Sequence, residues 1–137
     1  MIISCFERAL EIADESNLSD IWYNISHVSI SIGDFEMATY ALKLAISENH
    51  NHAESYNNLG VLELKLKNID QARSNFETCC RLGEFLFEPR YNLALLGYQT
   101  SDKEESFNHV KKALEIFPDH VESKELMKLL IENFTST

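Results

Sequence analysis

The chain has 137 residues, 45% of them hydrophobic and 25% charged, the composition of one ordinary folded domain with little room for a second. Twelve Lys and Arg stand against 22 Asp and Glu, a formal charge of −10. That field argues against nucleic acid or an anionic membrane surface as the main partner and is easier to reconcile with a basic or polar partner face.

No uninterrupted apolar stretch approaches the ~20 residues of a membrane helix. The opening Met-Ile-Ile-Ser-Cys-Phe-Glu-Arg lacks a basic leader, and Glu7 interrupts it before an export signal forms. Cys5, Cys79 and Cys80 are odd in number and form no C-x-x-C, a poor disulfide framework. The sequons at Asn17, Asn24 and Asn133 would matter only in a secreted chain. A reducing cytoplasmic location is expected.

With four Gly and two Pro, long unbroken stretches rich in Leu, Ala, Glu and Lys predict an all-α fold. In chain order the reading is a lone helix over 1–13 and three helix pairs over 19–48, 53–82 and 87–117. A last helix follows over 119–134. The corresponding units are 1–16 (the second helix of a partial repeat), 17–50, 51–84 and 85–118 (complete repeats), and 119–137 (a capping helix).

The units follow from a 34-residue register. Ile25, Leu59 and Leu93 align, followed by the small residues Ser26, Gly60 and Ala94. Ala38/Ala72/Ser106 and Ala45/Cys79/Ala113 form two further small columns, and Leu42/Phe76/Val110 a bulky one. Small residues let paired helices approach, and the bulky column fills the space between units. Turns are expected at Gly33-Asp34, Lys67-Asn68 and Ser101-Asp102, where Gly, Asn and Asp tolerate the required dihedrals.

The two ends differ. Ile2, Ile3 and Phe6 belong to a second helix without its first, an interface for a missing repeat or another protein; the former is favoured. In the last helix, Met127, Leu130, Ile131 and Phe134 are the expected buried stripe. Glu122, Lys124, Glu125, Lys128 and Glu132 form its wet face, and Lys128 stands where a further helix would need a small residue.

No phosphate-binding glycine loop, nucleophile elbow or H-E-x-x-H occurs. His50-Asn51-His52 lies in a polar connector and is expected to be solvated rather than metal-bound. Glu104-Glu105 complements a helix dipole, and both Cys79 and Cys80 are expected as core thiols. No catalytic residue, cofactor or metal site is expected.

Trp22-x2-Ile25-Ser26, Tyr56-x2-Leu59-Gly60, Ala72-x3-Phe76 and Pro118 resemble the tetratricopeptide repeat pattern. Arg90 departs from it, as do Ser29, Glu63 and Gly97. The resemblance implies a right-handed superhelix of antiparallel helix pairs whose first helices line a concave surface. Asn24, Asn58 and Asn92 recur there at 34, a ladder of amides suited to an extended peptide backbone, similar to that of O-GlcNAc transferase. The ladder has a structural alternative, in which each Asn bonds a neighbouring turn. Tyr23, His27, Asn57, Tyr91 and Tyr98, with Val61 and Leu95, complete an aromatic, apolar surface expected to hold few charges, the tyrosines as anchors. With only Arg90 and Lys65 at its margins, a co-chaperone-like carboxylate clamp is disfavoured.

Four stretches are more particular: Asp20–Val28, Asn51–Leu59, Glu88–Ala94 and Phe117–Val121, with His27, His52 and His120. They resemble the repeat-bearing subunits of the Bardet–Biedl syndrome complex (BBSome). That resemblance implies a non-catalytic scaffold in a ciliary membrane-protein trafficking coat, at the cilium and basal body. It also implies protein partners: a second superhelical subunit, a propeller-bearing subunit and a small extended one. The alternatives are a free peptide-recognition module or the targeting domain of a larger enzyme.

Overall fold

The computed structural model describes residues 17–135, and among these it holds seven α-helices and no strand. They are α1 (Leu18–Ser31), α2 (Phe35–Glu48), α3 (Ala53–Lys65), α4 (Ile69–Leu82), α5 (Glu88–Gln99), α6 (Lys103–Ile116) and α7 (Val121–Thr135). Ile2, Ile3, Phe6 and Cys5 lie outside the described residues.

Helices α1 and α2, α3 and α4, and α5 and α6 pack as pairs, and each pair rests on the next through its second helix. The turn inside each pair repeats to the individual hydrogen bond. Asp34 N–H donates to the Ser29 carbonyl, Asn68 to Glu63 and Asp102 to Gly97, at 2.8, 2.9 and 2.8 Å. The residue before each donor is left-handed: Gly33 at φ 82°, Lys67 at 66° and Ser101 at 64°. This is the helix-ending motif in which one left-handed residue redirects the chain and returns two amides to the last turn. Only the first unit puts glycine there; the other two hold an L-residue at about 1–2 kcal/mol of local strain. The following residue then starts the second helix, since the Asp34 carboxylate accepts from the Met37 amide and that of Asp102 from Glu105. Asn68 instead donates its side-chain amide to Glu63.

The five columns all fall inside. Gly60 is where Phe76 enters: a Cβ there would sit 2.6 Å from the ring. Ser106, in an otherwise Ala column, is fully buried because its hydroxyl donates to the Ala94 carbonyl at 2.7 Å. The core divides into three clusters, each joining one unit's second helix to the next unit's first. Ala38 and Leu42 meet Leu59 and Leu62; Ala72, Phe76 and Cys80 meet Leu93. Val110, with Ala94, meets Leu126 and Leu130 of α7. Between units, Arg73 of α4 pairs with Glu105 of α6, so Glu105 does more than face a helix dipole.

The last helix corrects one expectation. Its buried stripe is Ser123, Leu126 and Leu130, with Met127 half-buried, while Ile131 and Phe134 are 49% and 48% exposed. The buried sector is centred on Leu126, one turn behind the expected one, because Ser123 is turned inward by its bond to His120. Phe134 leans on Phe107 instead, ring edge to face, at 6.1 Å.

Two outcomes test this packing. A Cβ at Gly97 would lie 2.9 Å from the Ser106 backbone nitrogen and 3.1 Å from the Asp102 carbonyl, atoms that cannot step aside. Gly97→Ala is expected to lower stability by about 2 kcal/mol, read as a fall in the urea midpoint; an unchanged midpoint would refute the close α5–α6 approach. The second concerns the Cys79 thiol, raised from 9.0 to about 12 by burial and then by its neighbour Cys80, against an opposing backbone bond from Asn57. The folded chain therefore holds that proton more tightly than the unfolded one. The group's contribution is complete below pH about 9 and is lost as pH rises towards about 12. Cys79→Ala, the residue its column carries in the other units, should flatten the alkaline loss of stability in a urea series across that window.

Candidate functional site

The first helices α1, α3 and α5 lie side by side, and α3 touches α5 directly. Across them runs a cavity of about 220 Å³. Tyr23 and His27 come from α1, and Glu54, Asn57 and Asn58 from α3. Leu86, Glu88 and Pro89 close it from the start of α5. Pro89 at the first turn costs no hydrogen bond there and fixes the entry of α5.

The Tyr23 and His27 rings meet edge to face at 4.6 Å, one helical turn apart. The Asn58 amide lies beside the Tyr23 hydroxyl. Burial raises the Tyr23 phenol above its ordinary value; that Asn58 contact opposes the rise, and the charges of Glu54 and Glu88 add to it. The Asn58 nitrogen is shielded from solvent, and the Tyr23 hydroxyl is the group beside it.

Four of the eight predicted groove residues therefore line one cavity: Tyr23, His27, Asn57 and Asn58. The other four do not. Asn92 donates its amide to the Asn57 side-chain oxygen at 2.9 Å. Asn58 against Tyr23 repeats that step one unit earlier, so the amide row ties each first helix to the one before it. Asn24 is exposed. Tyr91 packs against the third core cluster and the His120 ring, and Tyr98 stands two turns beyond it on α5, 37% exposed. Val61 and Leu95 likewise pack against core clusters.

The expectation of few charges is corrected by Glu54 and Glu88, two exposed carboxylates at the cavity mouth. Each stands four residues before an Asn of the ladder, on the same helical face. The two marginal cations lie elsewhere. Arg90 lines a cleft with Cys80, Arg81 and Lys112. The Lys65 ammonium sits 5.1 Å over the Phe35 ring, in an apolar groove between α2 and the end of α3.

His52 is also corrected, since it is buried rather than solvated. Its Nε2 meets the Asp20 carboxylate at 2.9 Å and its Nδ1 the Ser55 hydroxyl at 2.8 Å. His120 makes a similar row with Ser123 at 2.6 Å and Glu122 at 3.1 Å, its carboxylate coming from two residues on rather than from the preceding unit. Carboxylate, imidazole and hydroxyl in a row resemble a nucleophilic triad, but Ser55 and Ser123 are fully buried within their helices. No substrate reaches those hydroxyls. The clusters lock helix starts, and Asp20–His52 joins α1 to the loop before α3. Among the described residues, no three His, Cys, Asp or Glu side chains are grouped to hold a metal ion. No described helix is long and apolar enough to cross a membrane.

The tetratricopeptide repeat family matches residues 19–52, 53–82 and 87–120. Tetratricopeptide repeat protein 8 of Homo sapiens is 39% identical over 128 residues, covering 93% of this chain and 24% of the human protein. Its counterpart in Mus musculus is 37% identical over 129 residues, 93% of this chain and 25% of that protein. A BBSome complex member of Xenopus tropicalis is 31% identical over 101 residues, 74% of this chain and 19% of that one. The chain thus spans a quarter or less of the length of these curated relatives. Among solved structures, MamA superposes with a TM-score of 0.81 at 17% identity, over 97% of this chain and 77% of MamA. The first repeat domain of Spaghetti, bound to an HSP90 peptide, superposes at 0.81 and 12% identity, over 88% of this chain and 98% of that domain. Helix pairs in a 34-residue register, left-handed turns at equivalent places and three family matches along the chain lead to one conclusion: it belongs to the tetratricopeptide repeat family.

Proposed function

We propose that this chain serves as a non-catalytic scaffold in a BBSome-like adaptor that moves membrane proteins into and out of cilia. In that role its groove holds an extended segment of a partner subunit. The observation that carries the reading is the 39% identity to tetratricopeptide repeat protein 8 across 93% of the chain, with a BBSome complex member also among the relatives. The groove adds a means of attachment. Tyr23, Asn57 and Asn58 line one cavity, and side-chain amides there suit the backbone of an extended guest chain. A domain of the same fold, that of Spaghetti, holds a peptide. The Ser55 and Ser123 hydroxyls beside the imidazoles are sealed from substrate.

Affinity capture of the tagged chain from ciliated cells, with co-purifying proteins quantified by mass spectrometry, tests the reading. Near-stoichiometric recovery of the other adaptor subunits is expected; recovery of chaperones or unrelated peptides in their place would end it. Asn58→Ala is expected to cut that recovery several-fold, with unchanged helical circular dichroism showing that the variant still folds. Asn24→Ala, which alters an exposed amide outside the cavity, should leave recovery unchanged.

A further inference from the structure

We infer that the apolar groove between α2 and the end of α3 receives an amphipathic helix of a partner protein, which seats large apolar side chains there and sets Asp or Glu against Lys43 and Lys65. This groove shares no residue with the cavity across α1, α3 and α5, so the inference stands or falls apart from the function proposed above.

The groove measures about 780 Å³ and lies at the first joint between units. It is open because position 39 is threonine, whose hydroxyl turns back to donate to the Phe35 carbonyl of its own helix at 2.9 Å. The equivalent residues of the next two units are long and reach across, Arg73 to Glu105 and Phe107 to Phe134 of α7. The walls differ in the same sense. Tyr40 and Leu66 are 57% and 64% exposed, where the next unit carries Ser74 and Thr100. Phe35, also exposed, and the buried Leu62 complete the apolar lining. Exposed apolar side chains gathered in one hollow mark an interaction surface.

Charge selects the occupant. The chain carries a formal charge of −10, yet Lys43 and Lys65 line the groove against Glu36 alone. Neither lysine has an ion-pair partner among the described residues, and the next unit has Glu77 and Gln99 in their places. The local field is therefore opposite in sign to that of the whole chain, and it attracts an acidic segment.

The walls select a helix. The described residues hold no strand, so no sheet edge is present to pair with an extended guest. Against Phe35, Tyr40, Leu62 and Leu66 the backbone groups of such a guest would be left without partners. A helix satisfies its own and presents side chains alone. Lys65 stands at the Phe35 end of the groove, and Lys43 lies two turns further along α2, about 12 Å away. A guest helix covers that span with acidic residues at i and i+7, and its i+3 and i+4 side chains fall between them on the same face.

The test is fluorescence anisotropy on the full 137-residue chain with two fluorescein-labelled, Ala-rich helical peptides of about 18 residues. Both carry Leu at i+3 and i+4; one has Glu at i and i+7, the other Gln. The Glu peptide is expected to bind more tightly and to lose about tenfold in affinity against Lys43→Glu/Lys65→Gln at low salt. The Gln peptide should not distinguish that variant from the parent. Tyr40→Ser/Leu66→Thr is expected to weaken both peptides by about tenfold. All these substitutions install the residue that the next unit carries at the same place, and unchanged helical circular dichroism confirms that the variants fold. Equal binding of the two peptides to the parent, no binding of the Glu peptide, or Glu-peptide binding that survives either double variant would each overturn the inference. Self-association of the chain in sedimentation that Tyr40→Ser/Leu66→Thr abolishes would overturn it too, because the occupant would then be a second copy.

Discussion

The superhelix depends on how closely two helices can lie, and that is set where one side chain is nearly absent. Gly60 faces the Phe76 ring with no room for a Cβ, and Gly97 faces the backbone of α6 in the same way. Where the small residue is Ser106, its hydroxyl must find the Ala94 carbonyl to be tolerated there. With pairs locked at this distance, Leu42, Phe76 and Val110 reach the next unit, and each core cluster becomes a joint between units. Such an array gains its stability from intrinsic and nearest-neighbour terms. The groove is the outer consequence of that stacking. Nothing in α3 alone would bring Asn58 beside Tyr23; the joint between units does.

The amide ladder sets one side chain in two different surroundings. Asn92 spends its donor on Asn57, which welds α5 to α3. Asn58 stands in the same register but meets the Tyr23 hydroxyl. The difference lies one residue before each Asn of the preceding helix: an amide oxygen at Asn57, a phenol at Tyr23. An amide set against a phenol, beside Glu54 and Glu88 with no ion-pair partner among the described residues, makes this section of the groove unlike its neighbours.

Much of the fold was legible because helix approach leaves a strict mark. Small and bulky residues must recur in register, so the 34-residue columns and the turns at Gly33, Lys67 and Ser101 could be read directly. The groove was only half legible. Tyr23, His27, Asn57 and Asn58 were visible as a polar and aromatic row, but Glu54 and Glu88 were passed over because a first-turn carboxylate is what a helix dipole favours anyway. Their 34-residue recurrence with Asp20 and Glu122 was the available signal. His52 was misread because its neighbours Asn49, His50 and Asn51 are exposed. Its burial comes from Asp20 and Ser55, 32 and three residues away, and local polarity carries no trace of the former. In α7 the error was one of phase: Ile131 and Phe134 continue an apolar stripe, yet Ser123 holds the buried side of the helix.

The pairing of Asp20 with His52 and of Glu122 with His120 bears on how the groove is bounded. The two clusters are 68 residues apart, and the unit between them has Leu86 and Pro89 where they have His and Ser. An imidazole at position 86 would offer Glu88 the partner that His120 gives Glu122. Leucine offers none, and proline in place of serine removes the hydroxyl that would hold such a ring. The unit at 85–118 therefore lacks the His and Ser pair that stands at the helix starts on either side of it, and Leu86 and Pro89 line the cavity instead. Within one repeated scaffold, positions 86 and 89 thus decide whether a helix start carries a His and Ser pair or the Leu and Pro that wall the cavity.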